Sequence, residues 1–371
     1  MLRWFIMFGW RIFLINSDNY LKMNDMMIRK GFLVVLAAAA VLVAGCAKSE
    51  KTEENEASRR YLDAWVSVNY PDVKPTDLGI YILDDQPGTG EVYDTKQTFI
   101  VASYTIRDLE GNISATTDRK LAQQVGDYTP SYYYGSHVWI SGEGNLAVGV
   151  EDLLKGMRVG GTRTALIPSW LYTTDRYRSN SDYIKKKNNN GNTSGIYTVT
   201  LDGLSDDILK VEIDSMEVYS KRYLGGVDST SYGFYYKQIK APEDTNAFPS
   251  DTTIYINYTG RLLNRQVFDT TDPDTAKMYN IYSSSKTYEP VGITWGDSYS
   301  ELKMTSSSSS DSDDSDVITG FARTLWKMRK YGKSVGMFFS PYGYSYSGSG
   351  SIIPSYAPLV FEIEVVDNPN D

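Results

Sequence analysis

Two segments of this 371-residue chain repeat each other, and this repeat restricts the folds open to it. Residues 79–81 (Gly-Ile-Tyr) match residues 233–235 (Gly-Phe-Tyr), and residues 99–105 match residues 253–259. Both matches have the same offset without a gap, since 233 − 79 = 154 and 253 − 99 = 154. Two periods are too few for a solenoid, so the sequence predicts two copies of one domain.

Each copy shows the same order of predicted elements. A first strand leads through a turn region to a second strand ending in Tyr-Thr, and a short helix and two further strands follow a variable polar stretch. Because the single helix lies between strands, the pattern predicts an α+β fold, with a curved antiparallel sheet wrapped over a short helix in each domain. The predicted boundaries are residues 1–45 for a leader that is removed, 46–72 for a tether and short helix, 73–220 for the first domain and 221–371 for the second.

The second copy contains the stretch that is most informative about function. Val317-Ile318-Thr319-Gly320-Phe321 closes a strand or turn and begins a short amphipathic helix, which we expect to end at a left-handed Gly332. A strand over residues 334–339 follows, then a loop rich in Tyr, Gly and Ser. The apolar run Leu359–Val366 alternates from Phe361 onward, which predicts a half-buried last strand.

Residues 27–46 have the composition of a secretory leader, whereas residues 1–25 do not fit this pattern. The positive pair Arg29-Lys30 precedes an apolar stretch over residues 32–42, and Val43-Ala44-Gly45-Cys46 closes it. Cysteine directly after Ala-Gly resembles a bacterial lipobox, which implies a lipid on Cys46 and a protein anchored to a membrane of the cell envelope, on either face of the outer membrane. An ordinary signal peptide, or a short anchor helix with an incidental cysteine, is the alternative.

Several segments are too polar to build a core. Apolar residues recur at nearly helical spacing over residues 57–68, which predicts a short helix after the tether. We expect the polar inserts at residues 173–194 and 306–315 to be mobile surface loops. A calcium site is an alternative use of the acidic residues in and beside the second insert, which are Asp311, Asp313, Asp314 and Asp316. However, this run lacks the glycine turn and the terminal glutamate of a calcium-binding loop.

Composition and motifs exclude several classes of function. The net charge of −9 without a basic stripe argues against nucleic acid as a partner. One cysteine permits no disulfide within the chain, and one histidine, His137, which we expect in a surface or loop position, leaves little for a metal site or a Ser/His hydrolase. We find no dinucleotide loop or nucleophile elbow, and nothing indicates a cofactor.

Aromatic side chains of the second copy recur around one aspartate and one Val-Ile pair. The candidate site residues are Tyr258, Phe268, Asp269, Val317, Ile318, Phe321, Tyr344 and Phe361. Their order resembles the pocket of FKBP-type peptidyl-prolyl cis-trans isomerases over most of residues 230–367. The resemblance implies that Asp269 makes a hydrogen bond within the pocket, that the Ile318 N–H meets the substrate carbonyl, and that Phe321 replaces a tryptophan at the pocket floor. Tyr346 is the alternative to Tyr344, because the spacing does not decide between them.

An apolar aromatic pocket suits this chemistry. Rotation about an amide has a barrier of about 18–20 kcal/mol, and X-Pro bonds have cis and trans forms of similar energy, so a catalyst is useful. No nucleophile is required, because an apolar pocket favours the twisted, less charge-separated amide over the planar one. The implied partners are unfolded polypeptides or peptides that contain proline.

The first copy departs from the family pattern. Tyr104 is kept, but no Phe-Asp pair follows it, and the nearest stretch is residues 115–118. Val150 stands at the predicted pocket floor, Leu146-Ala147 replaces the Val-Ile pair, and we expect Val211 where the last phenylalanine belongs. Fewer aromatic residues predict a weaker pocket with little activity.

Three functions remain open from the sequence. The first is a lipid-anchored isomerase that assists the folding of envelope proteins, with its activity mainly in the second domain. The second is a non-catalytic chaperone or binding lipoprotein that kept the fold. The third is a glycan- or protein-binding surface lipoprotein, which only the tyrosine-rich loops suggest. Taken alone, the aromatic residues would also be compatible with an ordinary β-rich core.

Overall fold

The computed structural model describes residues 55–186, 193–305 and 315–369. The predicted leader, the lipidation site Cys46, most of the tether, residues 187–192 and three of the four candidate calcium ligands (Asp311, Asp313 and Asp314) lie outside these ranges. The chain divides into two compact units. Of the described residues, the first unit contains 55–214 and 347–356, and the second contains 215–346 and 357–369.

The first unit is mixed α and β. Its helices are α1 (Glu56–Asn69), α2 (Arg119–Val125), α3 (Val148–Leu154), α4 (Asn180–Lys185) and α5 (Ile208–Tyr219), which runs across the division between the units. Its strands are β1 (Tyr81–Gln86), β2 (Phe99–Arg107), β3 (Ile113–Thr116), β4 (His137–Ile140), β5 (Thr162–Ile167) and β6 (Gly195–Ser205).

The second unit repeats this order. Its strands are β7 (Ser229–Ser231), β8 (Phe234–Lys240), β9 (Thr253–Leu262), β10 (Val267–Thr270), β11 (Val291–Thr294), β12 (Lys303–Met304), β13 (Ser315–Asp316), β14 (Lys333–Phe338) and β15 (Leu359–Val366). Its helices are α6 (Pro273–Met278) and α7 (Thr319–Trp326).

The two sheets share one topology. In the first unit the strand order is β1-β5-β6-β2-β3, and β4 also pairs with β2. In the second unit the order β8-β14-β15-β9 follows the same path. There β10 and β11 both pair with β9, as β3 and β4 both pair with β2 in the first unit. Every named strand pair is antiparallel. The α+β prediction, with an antiparallel sheet and a short helix in each unit, is therefore confirmed.

The helix that crosses each sheet packs unusually close to it, because glycines lie at the contact. A Cβ added to Gly320, the second residue of α7, would come within 2.1 Å of the Phe338 ring. One added to Gly336, in the middle of β14, would come within 1.8 Å of the Thr324 hydroxyl oxygen. In the first unit Gly149 has the same position in α3, and its Cβ would come within 2.5 Å of Ile167. These glycines let a short helix bury its apolar side fully.

The N-terminal helix follows its sequence pattern. Helix α1 covers residues 56–69 where we predicted 57–68, and it buries Leu62 and Val66, which are four residues apart on one face. It ends one residue before Tyr70-Pro71, where proline disfavours helical backbone at the residue preceding it. This prediction is confirmed. Among the helices of the described residues, none has the length and apolar character needed to cross a membrane.

Three local predictions were wrong. Helix α7 ends at Trp326, and the left-handed residue after it is Tyr331 (φ 60°), not Gly332. Part of the insert 173–194 is packed, because α4 buries Tyr183 and Ile184 against the first core. His137 lies in strand β4 with its Nε2 atom buried, where burial lowers the imidazole pKa.

The close contact between helix and sheet generates a stability prediction. Gly336→Ala should lower the free energy of unfolding by about 1–3 kcal/mol, because the added methyl group must push Thr324 away from the sheet. The measurement is urea unfolding followed by circular dichroism. Gly203→Ala is the matched control, since a Cβ there meets only ordinary contacts at 3.5 Å and beyond. Equal unfolding curves for the two variants would show that the helix does not need this glycine.

Candidate functional site

An aromatic cluster lies on the inner face of the second sheet. The ring centroid of Phe361 on β15 lies 4.9 Å from that of Phe321 on α7, 5.5 Å from Phe268 and 6.1 Å from Tyr258. Tyr258 and Phe321 meet edge to face at 5.5 Å. Phe321 and Phe361 are buried, whereas Tyr258 and Phe268 keep part of their surface exposed. The structure thus brings four of the predicted site residues together as one partly open apolar wall.

A glycine and a bulge create room for this wall. Gly260 pairs with Phe361 across β9 and β15, and a Cβ on Gly260 would come within 2.6 Å of Phe268 and 2.9 Å of Phe361. On the other side of β9, the register slips so that Phe268 is an extra residue between Val267 and Asp269. Such a bulge redirects the side chains beside it. Consecutive residues Phe268 and Asp269 can therefore both contact the pocket.

The polar part of the site is a hydrogen-bonded carboxylate. The Tyr258 hydroxyl donates to Asp269 Oδ2 at 2.6 Å, and the Lys286 ammonium forms an ion pair with Asp269 and also donates to the Thr270 carbonyl at 2.9 Å. Burial, together with the Asp269 charge, raises the pKa of the Tyr258 hydroxyl well above its ordinary value. The hydroxyl is therefore a neutral donor at physiological pH. Lys286 was not among the predicted site residues, because it carries no motif and lies in the loop between α6 and β11.

The remaining predicted residues lie at the opening. Val317 and Ile318 immediately precede α7 and are half-buried, and within the described residues the Ile318 N–H donates no hydrogen bond. Tyr344 is half-buried, and burial with the nearby Asp269 charge raises the pKa of its hydroxyl. Tyr346 is 69% exposed. Of the two loop tyrosines, Tyr344 is thus the one placed beside the carboxylate.

Strand register identifies the equivalent positions of the first unit. Tyr104 pairs with Val199 as Tyr258 pairs with Ile363, which puts Tyr197 where Phe361 lies. Our prediction of Val211 for this position was wrong, because Val211 belongs to helix α5. The last strand of the first unit is β6, which ends at Ser205 and therefore precedes Val211.

The Phe-Asp pair is also located by register. Ile106 pairs with Ala115, and Ser114 is the extra residue of the corresponding bulge. Ser114 and Ala115 therefore stand where the second unit has Phe268 and Asp269. At this position Ala115 offers no carboxylate to accept from the Tyr104 hydroxyl.

No metal site accompanies the cluster in the ranges the structure covers. Among those residues, no group of three or more His, Cys, Asp or Glu side chains is placed to hold a metal ion. The polar atoms available for chemistry at the site are thus the Tyr258 hydroxyl, the Asp269 carboxylate, the Lys286 ammonium and backbone N–H groups.

Part of the chain is similar to FKBP-type peptidyl-prolyl cis-trans isomerases. Residues 294–366 match the family model described as FKBP-type peptidyl-prolyl cis-trans isomerase. The chain is 28% identical over 144 residues to a probable FKBP-type peptidyl-prolyl cis-trans isomerase of Haemophilus influenzae. This similarity covers 38% of the chain and 46% of the relative, so the chain spans about half the length of the curated relative it matches.

Two solved structures are also similar to part of this chain. A peptidyl-prolyl cis-trans isomerase from Pseudomonas syringae pv. tomato is 21% identical, with a TM-score of 0.29, and the match covers 43% of this chain and 92% of that one. FkpA from Escherichia coli is also 21% identical, with a TM-score of 0.28, and the match covers 43% of this chain and 62% of that one. The family resemblance seen in the sequence is confirmed, and the family-model match lies in the second unit except for residues 347–356.

The Tyr258 hydroxyl generates a prediction about pH. Its pKa is raised in the folded state, so the stability it contributes is present below the unfolded tyrosine pKa of about 10 and is lost as the pH rises through the folded pKa. Tyr258→Phe should reduce the fall in unfolding free energy above pH 10 by up to about 1.4 kcal/mol per pH unit. Urea unfolding at a series of alkaline pH values measures this slope. Tyr346→Phe, at an exposed tyrosine, should leave it unchanged; the same slope for Tyr258→Phe and wild type would contradict the assignment.

Proposed function

We propose that the second unit, which contains most of the residues 294–366 that match the FKBP-type isomerase model, catalyses cis-trans isomerisation of peptide bonds that precede proline. The observation that carries this proposal is the aromatic wall of Tyr258, Phe321 and Phe361 beside one hydrogen-bonded carboxylate. Apolar rings and a few fixed polar groups are the composition expected of a pocket that binds a proline ring.

The geometry supports catalysis through the environment of the amide. In the planar amide, resonance places partial charge on oxygen and nitrogen, and the twisted transition state loses most of this separation. Water stabilises the planar form, so an apolar pocket that excludes water lowers the relative free energy of the twisted form. Phe321 and Phe361 supply this apolar surface because both are buried.

Polar groups would hold the substrate while the bond rotates. We assign to the Ile318 N–H the role of donor to the substrate carbonyl, because it lies at the start of α7 and has no partner among the described residues. The Tyr258–Asp269–Lys286 network fixes the carboxylate beside the rings. Tyr344, placed near the same charge, would close the pocket from the loop after β14.

We further propose that the protein works in the cell envelope on unfolded polypeptides that contain proline. Support comes from the leader-like residues 27–46, in which the chain's single cysteine, Cys46, ends a lipobox-like motif. A lipid on Cys46 would attach the two units to a membrane surface. The polar tether that follows would keep them in water beside it.

A non-catalytic binding role is the second candidate, and it applies best to the first unit. There Ala115 replaces the aspartate and Val150 replaces the ring at the pocket floor. Without the carboxylate and the floor ring, we expect the first unit to contribute little to catalysis.

The activity is tested by exchange NMR on an Xaa-Pro peptide with the full chain. The protein should accelerate cis-trans exchange, and Asp269→Asn and Phe361→Leu should each reduce this acceleration about tenfold or more, equivalent to about 1.4 kcal/mol or more of lost transition-state stabilisation. Both variants keep the approximate volume of the native side chain, which limits damage to the core.

Asp274→Asn is the matched control for the aspartate variant. Asp274 is a strongly exposed aspartate on α6, so its substitution should leave the exchange rate unchanged. Acceleration that survives in both site variants would place the activity outside this cluster. A folded wild-type protein without any acceleration would favour the binding role.

A further inference from the structure

The first unit contains an open cavity at the position that corresponds to the aromatic wall of the second. Its volume is about 760 Å³, which lies within the range of about 300–1,000 Å³ typical of small-molecule sites and is large enough for a long side chain. The pocket-floor residue Val150 explains the space, because Phe321 fills the equivalent volume in the second unit with its ring. The replacement of Phe321 by Val150 is therefore one of the large-to-small differences that leave room for the cavity.

The lining of the cavity is rich in aromatic rings. Tyr104 and Trp139 lie 5.6 Å apart between ring centroids, and Tyr172 and Tyr197 lie 6.1 Å apart. The other lining residues are mostly small or aliphatic and include Val150, together with the charged Asp175. Four electron-rich rings around one space attract a cation through their quadrupoles.

The lining of the cavity carries negative charge. Asp175 is exposed at the cavity and supplies its only charged side chain, and among the described residues no Lys or Arg lines the cavity. The second unit differs, because the carboxylate of Asp269 is already paired with Lys286 there. An acidic, aromatic cavity without a cation of its own is complementary to a positively charged ligand.

The walls of the cavity are held in place by a neighbouring ion pair. Arg176 donates to Glu151 at 2.7 Å, to the Leu146 carbonyl at 3.1 Å and to the Thr174 carbonyl at 2.9 Å. The Val148 N–H also donates to the Thr173 carbonyl at 2.8 Å. These bonds join the two loops that form the rim, so the cavity is present before a ligand binds and little ordering is needed.

We propose that this cavity binds the cationic side chain of a lysine or arginine in an extended polypeptide. The four rings would surround the aliphatic stem and the charged head, and Asp175 would pair with the charge at the opening. This role goes beyond isomerisation in the second unit and does not depend on it.

The test uses the full chain and five acetylated pentapeptide amides that differ only in a central Arg, Lys, Gln, Phe or Glu. Binding is measured from the shift of the Trp139 indole N–H signal in NMR spectra, assigned with Trp139→Phe. The Arg and Lys peptides should bind about fivefold or more tightly than the Gln peptide, and this difference should shrink as salt is added. The Glu peptide should not bind.

Two substitutions connect the binding to the cavity. Asp175→Asn should weaken the Arg peptide about fivefold, whereas Asp84→Asn, at an exposed aspartate outside the cavity, should not. Val150→Phe places in the first unit the ring that the second unit has at this position, and it should abolish binding by filling the space. Circular dichroism and urea unfolding establish that each variant is folded, and Asp175→Asn keeps the test valid if Val150→Phe does not fold.

Several outcomes would overturn the proposal. Tightest binding by the Phe peptide would make this an apolar pocket for aromatic side chains. Binding of a methyl glycoside, but of none of the peptides, would make it a sugar site. Absence of binding by all five peptides, or equal binding by wild type and Asp175→Asn, would also contradict it.

Discussion

A carboxylate beside an apolar wall is the constraint on which the second unit depends. Asp269 lies next to Phe268, with its charge partly removed from water, and such a group is costly unless donors surround it. The Tyr258 hydroxyl and the Lys286 ammonium supply those donors from a neighbouring strand and a loop. The bulge at Phe268 and the glycine at position 260 make the arrangement possible, because they let large rings and the carboxylate share one face of the sheet.

The duplication shows which parts of this arrangement belong to the fold and which to the site. Strand order, register and the glycine at the second position of the crossing helix are common to both units, since they determine how helix and sheet pack. The side chains that face the pocket are not common, because the backbone tolerates Val150 or Phe321 at the same place. The same fold can therefore hold a filled aromatic wall or an open cavity.

The sequence was informative where a local pattern determines the structure. Helix α1, the α+β class and the order of strands and helix along each copy follow from periodicity and the repeat, and the aromatic residues of the second unit followed from a family pattern. Lys286 could not be predicted, because it meets Asp269 only after the chain folds, seventeen residues away through a loop without a motif. Tyr197 was missed because the insert before β6 displaces the last strand, so that spacing alone pointed to Val211. His137 was misplaced because a single polar residue in a strand carries no signal of its depth.

Two of the differences between the units are related by the free-energy cost of leaving a partly buried charge without a partner. The offset of 154 residues places Tyr132 where the second unit has Lys286 (286 − 154 = 132), and Tyr104 there forms a hydrogen bond with Tyr132. The first unit thus has Ala115 and Tyr132 where the second unit has the aspartate and the lysine. Losing one charge alone would leave the other partly buried without a partner, which is far more destabilising than losing both. A neutral pair of hydroxyl groups satisfies the tyrosine without either charge, so the first unit keeps its fold while its pocket becomes free to recognise a different ligand.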